Sequence, residues 1–312
     1  MFKHILIPID AQPHTQHAAK TGLEVARQLS ARVTVVHVLE VHPMFALQTE
    51  FMASGALVER AEKLLEPWVG LANRHGVQLE TKLLENETGN VAASITKAAV
   101  DFNCDLILMG TQGREGFERL LVGSVAERVV RTANQPVMLL RGTAEPMNAN
   151  PVQANPIATM LASIDDSLES QTALKTAGEL AAQLGTRLHV VYVLPDIPAP
   201  MGDGMGFGTL IYQPEPLLEA LNNHGRAIID QAKAMLQPIL KPDRLEVSMV
   251  QQGGQRIAQV ILKFAQEHSS SLIVLGTHGR SGMDRLLLGS VAEGVMHHAD
   301  VPVLLVRSTA PR

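Results

Sequence analysis

Cysteine is almost absent: Cys104 is the only one in 312 residues. One thiol excludes an intrachain disulfide and a cysteine-based zinc site. Aromatic residues make up 3% (Phe 7, Tyr 2, Trp 1), which excludes a single-stranded nucleic-acid binder built on stacking platforms. There is no basic excess, since 26 Lys and Arg face 31 Asp and Glu, a formal net charge of −5. Cutting after Gly142 gives 14 basic and 15 acidic residues before the cut, and 12 and 16 after it. Neither half has the surplus of a protein that tracks phosphate backbones, so nucleic acid is not an expected partner. No run approaches the roughly 18 apolar residues of a membrane span. The apolar stretch in the opening MFKHILIPID is too short for a signal peptide. The chain reads as soluble and cytoplasmic, with no membrane partner.

What is present is aliphatic. Hydrophobic residues reach 46% against 18% charged, so the chain can bury cores of Val, Ile, Leu, Ala and Met and is not disordered. At roughly 100–200 residues per domain, the length suggests two domains.

The chain repeats itself. Asp105–Arg141 and Ser271–Arg307 align without a gap over 37 residues, 21 of them identical. FKHILIPID, ending at Asp10, matches IATMLASID, ending at Asp165, and VTVVHVLE (Val33–Glu40) matches LHVVYVLP (Leu188–Pro195). The aspartates are offset by 155 and the later glycines by 166, so the second copy holds about 11 extra residues. The Gly-rich stretch Met201–Gly208 is the evident place for them.

In the first copy, apolar runs near 3–9, 33–39, 77–84, 105–110 and 136–141 read as strands. Helical patterns fill 14–30, 52–74, 88–102 and 122–132. Short Val/Ile/Leu runs without alternation are how parallel strands covered on both faces read. The strand–helix alternation implies an α/β fold of two tandem doubly wound domains. The expected limits are 1–142 for the first domain, a polar linker at 143–156, and 157–308 for the second.

One motif occurs twice in full: Gly-x2-Gly-x9-Gly-Ser. It comprises Gly110, Gly113, Gly123 and Ser124, then Gly276, Gly279, Gly289 and Ser290. Glycine at a strand end lets backbone N–H groups approach a ligand. Gly-Ser opening a helix offers free N–H groups at its positive end, which suits an anion. Tight turns alone would also use glycine; the doubled spacing favours a phosphate cradle. Asp10 and Asp165 each end a first strand. An ionised Asp only accepts hydrogen bonds, so ribose hydroxyls or an amino group suit it. A helix N-cap is the alternative. Arg114 and Arg280 follow the second glycines and could offset phosphate charge.

These residues resemble the universal stress protein family, in a tandem arrangement that spans nearly the whole chain. The resemblance implies a five-stranded parallel sheet per domain, order 3-2-1-4-5, flanked by helices. In the family's ATP-binding branch the glycine pattern holds phosphates and the first-strand Asp holds the nucleoside. By that resemblance Asp10, Val38, Gly110, Gly113, Arg114, Gly123, Ser124 and Val125 line the first site. Asp165, Val193, Gly276, Gly279, Arg280, Gly289, Ser290 and Val291 line the second. The implied ligand is ATP or a related adenine nucleotide, with Mg2+ held through phosphates and no side-chain metal ligand. Pro8 is replaced by Ser163 in the second copy, so base packing there is expected to differ. The glycine insert could cover the second site.

The function implied is a nucleotide-binding stress-response switch. A slow ATPase is an alternative, although no phosphate-bridging Lys or water-activating base can be named. A nucleotide-independent interaction module is another, through PVMLLR (Pro136–Arg141) and PVLLVR (Pro302–Arg307), which pair across a two-fold in the family. The two copies can form an internal pseudo-dimer that way, and two chains a homodimer. No Gly-x4-Gly-Lys-Ser/Thr is present, which excludes a P-loop NTPase. His4, His14, His17, His37 and His42 crowd the start, and read as scattered histidines rather than a metal site. Cys104 reads as a small buried hydrophobe.

Overall fold

A computed structural model of the chain describes residues 1–39, 52–86, 89–111, 122–141, 157–197, 215–278 and 288–308. The first half runs β1 (His4–Pro8), α1 (Pro13–Leu29), β2 (Arg32–Leu39), α2 (Met52–His75), β3 (Leu79–Glu85), α3 (Val91–Asp101), β4 (Leu106–Thr111), α4 (Ser124–Thr132) and β5 (Val137–Arg141). The second runs β6 (Thr159–Ile164), α5 (Leu168–Leu184), β7 (Arg187–Leu194), α6 (Glu215–Leu236), β8 (Leu245–Gln251), α7 (Ile257–Glu267), β9 (Leu272–Gly276), α8 (Ser290–His298) and β10 (Val303–Val306). A short 3-10 turn, Pro242–Arg244, precedes β8.

Local chemistry sets the helix ends. Pro13 opens α1, where its fixed φ suits the first turn and its missing N–H is not needed. The same helix ends on Ser30 in the left-handed region (φ 51°), and α5 ends on Gly185 (φ 67°), the residue 155 positions later. The expected helix from 88 begins at Val91. Asn90 caps it by accepting the Ala93 N–H, an end that a bulk periodicity cannot locate.

Strand alternation divides the core into two layers. Ile5, Ile7, Val33, Val35, Leu106 and Leu108 face α1 and α2, together with their counterparts under α5 and α6. Leu6, Val36, Ile107 and Met109 face α3 and α4, with counterparts under α7 and α8. Each fully buried aliphatic side chain contributes about 1.5–3 kcal/mol. The hydrophobic residues buried on β1 and β4 are aliphatic or Met; the largest fully buried aromatic side chains are Trp68 on α2 and Tyr192 on β7.

Each half keeps the parallel order expected, β3-β2-β1-β4-β5 and β8-β7-β6-β9-β10. The two five-stranded halves are joined into one ten-stranded sheet. β5 and β10 pair antiparallel at its middle, with Leu139 opposite Val303 and Met138 opposite Leu304. The unpaired backbone edges of the two copies satisfy each other, which removes both edges from solvent. Arg131 ties the seam by reaching Glu127 at 2.8 Å and Glu293 of the other half at 3.2 Å. Arg307 donates across it to the Arg131 carbonyl at 2.8 Å. The terminal strands of the copies therefore face each other and are not open to an outside partner.

Candidate functional site

The chain leaves β1 toward α1 on one face and leaves β4 toward α4 on the other. Neighbouring strands that diverge in this way open a crevice at their carboxyl ends, the usual ligand position in such sheets. Here the crevice is a cleft of about 580 Å³. The second half opens one of about 240 Å³ between β6 and β9.

Six of the eight residues expected in the first site line the first cleft: Asp10, Val38, Gly110, Gly123, Ser124 and Val125. Their six equivalents, Asp165, Val193, Gly276, Gly289, Ser290 and Val291, line the second. Gly113, Arg114, Gly279, Arg280 and the insert Met201–Gly208 lie outside the described residues.

Neither aspartate is a helix N-cap. The caps are Gln12 for α1 and Ser167 for α5, two residues further on. Asp10 Oδ1 accepts the Gln12 N–H at 2.8 Å and the Thr15 hydroxyl at 2.5 Å. Asp165 Oδ1 accepts the Ser167 N–H at 2.9 Å and its hydroxyl at 2.5 Å. One oxygen of each carboxylate is thus fixed locally. The other, Oδ2, has no partner among the described residues and remains an acceptor at the cleft.

Across the crevice, Gly123 and Gly289 cap α4 and α8 with extended backbone (φ −60° and −64°) and no side-chain hydrogen bond. The capping carbonyls accept from Glu127 at 3.0 Å and Glu293 at 2.8 Å. The first-turn N–H groups, those of Ser124, Val125, Ser290 and Val291 among them, have no intrahelical acceptor. Each helix therefore presents a partial positive charge of roughly half a unit to its cleft. An acceptor oxygen on one wall and an anion-attracting helix end on the other can hold a ligand with a hydroxylated and an anionic end.

Gly276 lines the second cleft and also meets a packing demand. A Cβ there would lie 2.9 Å from the Glu169 carbonyl carbon and 3.0 Å from its oxygen. The first turn of α5 itself makes the close approach at this strand end.

Other lining residues escaped the sequence reading. Thr15 and Ser170 stand 155 apart, like the aspartates, and both hydroxyls bond their aspartate's residue. That shared offset was the available signal. His37 lines the first cleft, donating from Nδ1 to the Ile9 carbonyl at 2.9 Å. Its counterpart is Tyr192, buried beside the second cleft. Arg60 and Lys63 of α2 also line the first cleft. No motif surrounds them.

Among the described early histidines, His4 and His37 hold separate partners. His4 is buried and bonds Thr34 Oγ1 at 2.7 Å through Nε2. Thr34 donates to Glu80 at 3.0 Å, so its oxygen accepts from His4 and the proton sits on Nε2. The side chain of His14, and His42 as a whole, lie outside the described residues. Among the described residues no three His, Cys, Asp or Glu groups are placed to hold a metal ion. Cys104 is buried, and burial foremost pushes its thiol up to about 12. No described helix is long and apolar enough to cross a membrane.

Comparison with known proteins matches this architecture twice over. The model of the universal stress protein family matches residues 1–141 and again 157–307. Universal stress protein Rv2005c of Mycobacterium tuberculosis is 26% identical over 315 residues, covering 98% of this chain and 97% of its own. Universal stress protein MJ0531 of Methanocaldococcus jannaschii is 35% identical over 144 residues, 45% of this chain and 83% of its own. A universal stress protein structure from Archaeoglobus fulgidus superposes with a TM-score of 0.66 at 20% identity, covering 97% of this chain and 98% of that one. With both halves matched and the full length aligned to tandem relatives, the chain belongs to the universal stress protein family.

Proposed function

We propose that this chain is an adenine-nucleotide-binding member of the family, with one site in each of the units 1–142 and 157–308, joined by 143–156. It acts as a binding switch whose occupancy reports on the cell's nucleotide state. One observation carries the reading: the same six positions line a cleft at both switch points. Asp10 and Asp165 accept from ribose hydroxyls or the adenine amino group through their open oxygens. Val38 and Val193 supply apolar walls. The starts of α4 and α8, with Ser124 and Ser290, hold phosphate oxygens. Each described lining offers one aspartate and no glutamate, too little for an all-protein Mg2+ cage. Mg2+ would be held by phosphates and water.

Calorimetric titration with MgATP tests this. Gly123 and Gly289 have backbone angles open to any residue, so valine fills the cleft without straining the turn. Binding at submillimolar ATP that is lost in a Gly123→Val/Gly289→Val variant is the expected result. No binding, or unchanged affinity in the variant, refutes the proposal.

A further inference from the structure

The two clefts share their floor but not their charge. In the first, Arg60 and Lys63 line the wall, and Asp10 is the sole carboxylate among the described lining residues. Arg60 has no carboxylate partner among the described residues, while Lys63 pairs on the helix surface with Glu59 at 2.6 Å. The second cleft has no Lys or Arg among its described lining residues.

The cause lies in helix α6. Its inward residues Gly225, Ala232 and Leu236 match Ala61, Trp68 and Ala72 of α2 at a constant offset of 164. That register puts His224 in the place of Arg60, and Ala227 in the place of Lys63. His224 is engaged by Asp166, Nε2 to Oδ2 at 3.4 Å. Asp166 in turn stands where the first half has Ala11, a lining residue of the first cleft. The second half therefore carries an extra carboxylate next to Asp165 in sequence, and an imidazole held by that carboxylate where the first half has a guanidinium; neither is among the described lining residues of the second cleft. The loop sequences 112–121 and 278–287 keep their arginines in register and differ by one acid, Glu115 against Ser281, less than the contrast on the helices. Size points the same way. Ligand pockets commonly measure about 300–1,000 Å³; the first cleft falls inside this range and the second below it.

We infer that the sites are unequal. The first is the polyphosphate site, where Arg60 and Lys63 offset the charge beyond the first phosphate. The second takes a ligand no larger or more anionic than a nucleoside monophosphate. This rests on the nucleotide reading above. Guanidinium and ammonium groups at the mouth of a low-dielectric cleft discriminate by ligand charge.

Native mass spectrometry and calorimetry of the full chain, with MgATP and with AMP, test the inference. One ATP per chain is expected at submillimolar concentration, lost in Asp10→Ala and kept in Asp165→Ala. Arg60→Ala/Lys63→Ala, both on the exposed helix surface, should weaken ATP about tenfold, the size expected of two partly exposed ion pairs. AMP should weaken less than threefold. Two ATP per chain of equal affinity, equal losses in the two aspartate variants, or equal weakening of ATP and AMP overturns the inequality while leaving nucleotide binding intact. Absence of any binding overturns the nucleotide reading itself.

Discussion

Gly276→Ala places a methyl group against backbone rather than against a side chain. The added Cβ would sit 2.9 Å from the Glu169 carbonyl carbon, 3.0 Å from its oxygen and 3.1 Å from its Cβ. Non-bonded carbon atoms are comfortable at about 3.5–4.0 Å. A rotamer change cannot relieve the clash, so the first turn of α5 must move by several tenths of an ångström. Overpacking of this kind costs about 1–3 kcal/mol. Because Ser170, in the same turn, donates to the Asp165 carbonyl at 2.8 Å, the shift also loosens the second site. Gly70→Ala is the counter-experiment. Gly70 lies on the exposed face of α2, and its nearest neighbour would be Arg74 Nη1 at 3.8 Å. Removing backbone freedom there should stabilise by about 0.5–1 kcal/mol. Urea denaturation followed by circular dichroism reads both. A Gly276→Ala protein as stable as the parent, or a Gly70→Ala protein less stable, refutes the packing described.

Cys104 is buried with its thiol pushed up to about 12, so it should stay unlabelled by a thiol reagent at neutral pH and react fully in denaturant; rapid labelling of the native protein contradicts this. Burial is the first cause lowering His4, aided by Arg32, against the raising effects of Glu80 and Asp105. Burial likewise lowers His189, with Arg187 and His268 adding to it and Glu246 opposing. Both are neutral in the fold and take a proton more readily when unfolded. Their stabilisation is present above the ordinary value of 6.5 and is lost as the pH falls toward the lowered folded values. The urea midpoint should fall between about pH 7.5 and about pH 5, and more shallowly in a His4→Gln/His189→Gln variant; an identical slope rejects the assignment.

Much of this architecture is legible in the chain because it is written twice. Asp10 and Asp165, and the glycines before α4 and α8, stand out by their fixed offsets, and the structure sets them around equivalent clefts. Thr15 and Ser170 share the same offset and could have been found in this way. Arg60, Lys63 and His224 could not. Their direction depends on how α2 and α6 roll on the sheet, which Ala61, Trp68, Gly225 and Ala232 decide by packing. The joining of two sheets into one follows from β5 meeting β10, a pairing between segments 164 residues apart for Leu139 and Val303 that periodicity alone does not record. Gly276 was legible as a required glycine, but its neighbour Glu169 was not.

The central claim is that nucleotide sits between an aspartate and a glycine-capped helix. Hydrogen–deuterium exchange of the full chain with and without MgATP tests it most directly. Protection is predicted at residues 8–15, 110–111 and 122–127, the walls of the first cleft. No ligand-dependent protection there, or protection confined to the opposite, amino-terminal ends of the strands, would contradict it.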